Sequence, residues 1–310
     1  MGSETEVKLP VIDFSIEDLE FNAAEWETVK SQVHKALVEY GCFEAVFDKV
    51  PSDIRKAIFL YVEQLFDLPL QTKQRVASSR PYHGYIGPSP VYESMGIEDV
   101  HLPQKVESLI NILWPQGKPS FSKNLQFFTE QVTKLDEMIR KMTLESLGVE
   151  KYLDEHMNST NYLARLIKYE GPQTHEPKVG IPEHTDKNIL TTLCQNQIDG
   201  LEVQTKSGEW IKCKPSSPNS FVVVTGDSLY AWTNGRVHTP LHRVMMSGNE
   251  TRLSIGLFTV PKAGFVIKAP DELVTEEHPL LFKPFVQSDF MNFLRSSEGV
   301  KNALKVYCGL

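Results

Sequence analysis

Glu183-His184-Thr185-Asp186 sets an imidazole and a carboxylate two residues apart. In an extended segment residues i and i+2 face the same side, so His184 and Asp186 can reach one point in space, one with nitrogen and the other with oxygen. A third ligand from a distant strand would complete a facial set of two histidines and one carboxylate on an octahedral iron, leaving the opposite face open for a chelating partner and dioxygen. His238 and His242 both stand far enough downstream. Four strand residues span roughly 13 Å, so the two cannot bind one ion, and spacing alone does not choose between them. Among nine histidines a single His-x-Asp is a weak signal, and zinc accepts the same donors.

Arg252 and Ser254 form a second i, i+2 pair, presenting a guanidinium and a hydroxyl to one side of a strand. A buried guanidinium needs an anion, which a ligand carboxylate would supply. A zinc hydrolase gives no reason for this pair. The same parity points Gly256 and Phe258 inward, the first giving space and the second an aromatic wall.

Periodicity supplies the elements that must position these groups. Residues 9–15 read as a first strand ending in a cap, and Trp26, Val29, Val33, Ala36 and Leu37 mark a helix over 23–39 closed by Gly41. Further helices are expected over 52–68 and 121–147, with a short strand over 42–47 between the first two. Residues 80–104, rich in Gly and Pro, read as a long irregular loop. From about residue 161 short β-rich runs follow one another, at 163–169, 189–194, 201–204, 210–214, 221–225 and 253–260, which suggests a sandwich or barrel. Residues 206–209 carry a hairpin turn signal, and 284–307 returns to helical spacing. Residues 1–150 are therefore expected to form a mainly helical region and 151–310 a β core with a C-terminal helix.

Composition bounds the partners. The 310 residues are 41% hydrophobic and 23% charged, ordinary globular proportions that disfavour disorder, and the formal charge of −8 argues against a nucleic-acid surface. A small-molecule substrate is expected. Cys42, Cys194, Cys213 and Cys308 are scattered without a CxxC pair, the pattern of reduced thiols. With no apolar run of spanning length and no targeting pattern in the acidic first residues, a cytoplasmic protein, acting as a monomer without membrane partner, is the expectation.

Taken together, the segments LPVIDFS, EYGCFEAV, LFDLPLQTK, HTDKNILTTLCQNQIDGLEVQ, GEWIKCKP, GDSLYAWTNGRVHTPLHRV and RLSIGLFTVPK resemble the plant type of iron(II)- and 2-oxoglutarate-dependent dioxygenases, over nearly the whole chain. The nearest likeness is to the specialised-metabolism branch that includes the AOP-like enzymes. The resemblance implies a mainly β fold with α elements: a double-stranded β-helix, jelly-roll or cupin-like barrel flanked by N-terminal helices and a C-terminal helix. It assigns the third ligand to His242, so that His184, Asp186 and His242 would hold Fe(II), and Arg252 with Ser254 would bind the distal carboxylate of 2-oxoglutarate. Where relatives carry Asn-Tyr-Tyr-Pro, this chain has Lys168-Tyr169-Glu170-Gly171-Pro172, so only Tyr169 is carried over as a cosubstrate contact. No catalytic side chain beyond the metal ligands is implied.

The implied reaction couples decarboxylation of 2-oxoglutarate by O2, giving succinate and CO2, to hydroxylation, desaturation, ring closure or O-demethylation of a hydrophobic plant metabolite, with ascorbate as reductant. Phe258, Tyr85, Met95 and Phe285, the last beside Phe290, are the candidate substrate contacts. Two alternatives are an ascorbate-dependent oxidase of the same fold and a non-catalytic metabolite-binding protein.

Overall fold

The computed structural model describes residues 7–89, 91–173, 176–297 and 300–309. The acidic first six residues, read above as free of a targeting pattern, and Pro90 lie outside the described residues.

Strand β1 (Val11–Asp13) leads to helix α1 (Ala23–Glu39), where the Asn22 side chain accepts from the Glu25 N–H and the five apolar residues at three- and four-residue steps are buried. The helix ends at Gly41, φ +67°, where an added Cβ would stand 2.3 Å from the His238 carbonyl oxygen. Glycine is required there on both counts. Next come β2 (Cys42–Val46), α2 (Ser52–Phe66), α3 (Leu70–Gln74), β3 (Gly84–Ile86), β4 (Tyr92–Glu98), α4 (Pro103–Leu113), α5 (Pro119–Ser146) and α6 (Leu153–Asn158). The later half contains β5 (Thr160–Tyr169), β6 (Lys178–His184), β7 (Leu190–Gln195), β8 (Leu201–Gln204), β9 (Trp210–Lys212), β10 (Ser220–Thr225), α7 (Asp227–Trp232), β11 (His242–Met246), β12 (Arg252–Pro261), β13 (Val266–Ile267), β14 (Phe285–Val286), α8 (Gln287–Ser296) and α9 (Ala303–Cys308).

Two sheets make the double-stranded β-helix. The larger runs β1-β2-β10-β7-β12-β5-β4-β3 and the smaller β6-β11-β8-β9. Side chains alternate between the faces of a strand, and the larger sheet separates two environments by this rule. Phe43, Ala45, Met95, Ile97, Ala164, Leu166, Ile255 and Leu257 point to one face and join the main core with residues of α1, α2, α4 and α5. The opposite face looks toward the smaller sheet, where Val222 and Val224 meet Leu201 and Val203, and Ile167 and Tyr169 meet Val244 and Met246. The inner face also carries Arg252 and Ser254, both buried.

The segment 80–104 differs from the loop its Gly and Pro content suggests. β3 and β4 form an antiparallel ladder, and β4 pairs with β5 from Tyr92↔Tyr169 to Glu98↔Leu163. The β5 partners of β4 lie some seventy residues away in the sequence, and the alternation of Met95 and Ile97 with Ser94 and Gly96 is punctuated by glycine. Helices α4 and α7 and strands β6 and β11 are also absent from the periodicity. β6 contains Gly180 and Pro182 and lies at a sheet edge, where a missing N–H is tolerated. Among the described residues no helix is long and apolar enough to cross a membrane.

Candidate metal centre and cosubstrate pocket

His184 is the last residue of β6 and His242 the first of β11, and the two are direct cross-strand partners. Antiparallel register therefore delivers both imidazoles to one face, with ring centroids 4.2 Å apart. The register of β11 against β6 shifts immediately after His242, an irregularity of the kind that re-aims side chains beside functional sites. Asp186 lies beyond the end of β6, in the turn before β7, so the spacing of two works through a strand end rather than within a strand.

Ligand-capable atoms of His184, Asp186 and His242 all fall within 4.8 Å of one another, the only such His/Cys/Asp/Glu group among the described residues. Asp186 Oδ1 lies 3.7 Å from Nε2 of each histidine. Nδ1 of His184 is 2.8 Å from the Pro182 carbonyl, which fixes the ring with Nε2 toward the centre. Burial pushes the His184 imidazole down to about 4, and its neighbour His242 adds to this. For Asp186 burial works in the opposite sense, but the two imidazoles, the Thr191 hydroxyl and Lys187 outweigh it and hold the carboxyl below its usual range. A neutral His184 imidazole beside an ionised Asp186 carboxylate matches the protonation states that metal ligation requires.

Several residues that periodicity did not single out hold this turn. Thr191 Oγ1, on β7, donates to Asp186 Oδ2 at 2.6 Å, and the Asp227 N–H, at the start of α7, donates to the Asp186 carbonyl at 2.7 Å. Asp227 also receives Lys187 Nζ at 2.7 Å and Thr185 Oγ1 at 3.0 Å. Gly226 lets α7 approach closely, since a Cβ there would meet the Asn188 carbonyl oxygen at 2.1 Å. The GDS of the GDSLYAW stretch was the available signal.

His238 goes elsewhere. Its N–H donates to the Leu37 carbonyl at 2.8 Å and its own carbonyl accepts from Thr225 Oγ1, so this residue ties the segment before β11 to the end of α1.

Arg252 is fully buried, with Nη2 donating to Gln195 Oε1 at 2.6 Å and Cζ 4.9 Å over the Tyr169 ring. Burial lowers the pKa of its guanidinium. Nε and Nη1 of Arg252, Oγ of Ser254 and Nε2 of Gln195 are buried without a hydrogen-bond partner. Ser254 lies directly opposite Gln195, and Arg252 opposite Tyr169. An unpaired buried guanidinium costs on the order of several kcal/mol, and this cluster of orphaned groups beside it fits an incoming carboxylate.

Phe258 shares the inner face with Arg252 and Ser254, and its ring folds over Gly256, where a Cβ would be 2.7 Å from the ring edge. Tyr85 and Met95 pair with each other on the outer face and lie in the main core, Met95 with no exposed surface, so neither is brought to this site. Phe285 packs in an aromatic group with Phe290 and Tyr307 beside the C-terminal helices.

Two sheets enclosing a His-Asp-His group and a buried arginine are the arrangement expected of a non-haem iron oxygenase of the 2-oxoglutarate type. The family profile described as "2OG-Fe(II) oxygenase superfamily" matches residues 154–261, and that described as "non-haem dioxygenase in morphine synthesis N-terminal" matches 9–106. The chain is 50% identical over 298 residues to the probable 2-oxoglutarate-dependent dioxygenase AOP1.2 of Arabidopsis thaliana, covering 94% of this chain and 92% of the relative. It belongs to the 2OG-Fe(II) oxygenase superfamily, among its AOP-like plant members. The crystal structure of a rice dioxygenase for auxin oxidation superposes with a TM-score of 0.83 at 29% identity, over 97% of this chain and 100% of that one. The 2-oxoglutarate complex of the Arabidopsis thaliana dioxygenase for auxin oxidation 1 gives 0.79 at 25% identity, over 87% and 99%. The protein is thus a 2-oxoglutarate-dependent dioxygenase that uses Fe(II).

Proposed function

We propose that this dioxygenase oxidises a hydrophobic plant specialised metabolite, with His184, Asp186 and His242 holding Fe(II), and with Arg252 and Ser254 receiving the distal carboxylate of 2-oxoglutarate over the Tyr169 ring. The observation that carries the assignment is the pairing of one compact His-Asp-His group with unpartnered Arg252 and Ser254 donors on the same enclosed face. Bound iron and 2-oxoglutarate would supply the activation of O2, with succinate and CO2 as by-products and ascorbate keeping the metal reduced.

The chain's own residues then bind, orient and exclude. Arg252 neutralises the cosubstrate's far end through charge-assisted hydrogen bonds, which fixes the direction from which it enters the metal centre. Thr191 and Asp227 hold the Asp186 turn, so the carboxylate needs little reorganisation on ligation. Phe258 faces the same interior and serves as an apolar wall for the substrate. Which C–H bond is oxidised follows from placement at the ångström scale, and no protein acid or base has to carry that step. The likeness to dioxygenases for auxin oxidation supports a small-molecule substrate.

An oxygen-uptake screen of plant metabolites with Fe(II), 2-oxoglutarate and ascorbate tests this reading, with product masses reporting gain of oxygen, loss of two hydrogens or loss of a methylene. Succinate should form in step with product, and His242→Ala should abolish both. Turnover with ascorbate but without succinate would instead identify the oxidase alternative, and oxidation of polar amino acids alone would sink the hydrophobic-substrate assignment.

A further inference from the structure

Arg252 is not the only arginine on the inner face. Arg165 lies on β5 directly opposite Gly256 of β12 and Gly96 of β4, which puts it on the same face as Arg252, Ser254 and Phe258. It is half-buried, and it takes part in no ion pair among the described residues. Nη2 donates to Ser94 Oγ at 3.2 Å, while Nε is shielded from solvent and donates to nothing. Glu98, the acid on the same face of β4, is already engaged by Arg80 and lies 3.9 Å from His83.

Two aromatic rings lie near the guanidinium. Cζ of Arg165 lies 4.9 Å from the centroid of Tyr82 and 6.0 Å from that of Phe258. Tyr82 is held in the left-handed region, φ +64°, and its carbonyl oxygen packs onto Gly96 so closely that a Cβ there would be 2.0 Å away. Backbone strain of this kind persists where the surroundings impose it, and it clusters at ligand sites. Tyr82 is 47% exposed, so the Tyr82–Arg165–Phe258 slot lies between solvent and the interior. Phe258 in turn is the cross-strand partner of Thr191, whose hydroxyl holds Asp186. A second arginine without an ion-pair partner among the described residues therefore shares the inner face with Arg252, at a separate position opposite Gly256.

From this juxtaposition we infer that Arg165, near the rings of Tyr82 and Phe258, binds a carboxylate on the substrate, so that the preferred substrates are hydrophobic acids rather than neutral hydrocarbons. The inference rests on the dioxygenase reading of the site and narrows its substrate class. A guanidinium with an unpartnered Nε suits charge-assisted pairing with a planar carboxylate. The hydrophobic body of the acid would extend along Phe258 toward the metal.

The full chain loaded with Mn(II), which is redox-silent in this role, and 2-oxoglutarate would be titrated with 3-phenylpropanoate, cyclohexylacetate and 2-naphthylacetate and with the carboxamide of each, binding being read by ligand-observed NMR. The acids should bind about tenfold more tightly than their amides, the contribution of one charge-assisted contact. Arg165→Gln should abolish that preference without changing 2-oxoglutarate affinity, and Arg165→Lys should restore part of it. Acids and amides binding equally, no acid binding, or Arg165→Gln weakening 2-oxoglutarate instead would each overturn the inference. Titration of 2-oxoglutarate on the wild-type protein keeps the two readings apart, because its failure there would overturn the Arg252 and Ser254 assignment.

Discussion

Thr191 Oγ1 donates a 2.6 Å hydrogen bond to Asp186 Oδ2, leaving Oδ1 of the same carboxylate facing both His184 and His242 at 3.7 Å. One oxygen is thus spent on orientation and the other is free for ligation. The hydroxyl is itself placed by β7, whose ladder with β12 sets Thr191 opposite Phe258.

Removing that bond should cost metal affinity more than stability. Thr191→Val keeps the shape of the side chain and deletes the donor, and loss of such an outer partner costs about 10–100-fold in metal binding. Anaerobic Fe(II) or Mn(II) titration should show a drop of this size with a melting temperature near that of the wild type. Unchanged metal affinity would mean that the backbone bond from Asp227 alone positions the carboxylate.

Arg252→Met should abolish 2-oxoglutarate binding while leaving the ligand-free protein at least as stable, because it removes a buried charge that has Gln195 but no carboxylate partner. At about 100 times its Kd a ligand stabilises the folded state by about 2.7 kcal/mol. Thermal melts should therefore rise by several degrees with 2-oxoglutarate in the wild type and not in the variant. A large loss of stability without ligand would indicate that the arginine is needed for packing.

His238 gives a pH dependence that does not involve the metal ligands. Burial, with a smaller contribution from Lys206, pushes its imidazole down to about 4, whereas in the unfolded chain it takes a proton near about 6.5. Between these values the unfolded state binds more protons, so the contribution is complete above about pH 6.5 and is lost as pH falls toward 4. His238→Gln should flatten the melting-temperature profile across that window. An unchanged slope would assign the acid sensitivity to other groups.

Elements whose pattern is local were legible in the sequence. α1 occupies residues 23–39 as read, because five apolar side chains at helical steps and a left-handed glycine need no distant partner to be recognised. β6 and β11, which carry the two histidines, were not. They are short or edge strands interrupted by Pro182 and by irregular register, and their pairing partners come from elsewhere in the chain. The turn holding Asp186 likewise depends on Asp227 and Gly226, forty residues on.

The candidate residues and the family were legible in the sequence: His184 with Asp186 and Arg252 with Ser254 stand at short spacing, the segments around them carry the family resemblance, and parity along β12 put Phe258 on the face of Arg252, because alternation within one strand is a local property. What only the tertiary structure decided was the relation between strands. Tyr85 and Met95 fall on the outer face, while Arg165 shares the inner face with Phe258, because register between β4, β5 and β12 fixes which residues share a face, and a shift of one position would exchange them all.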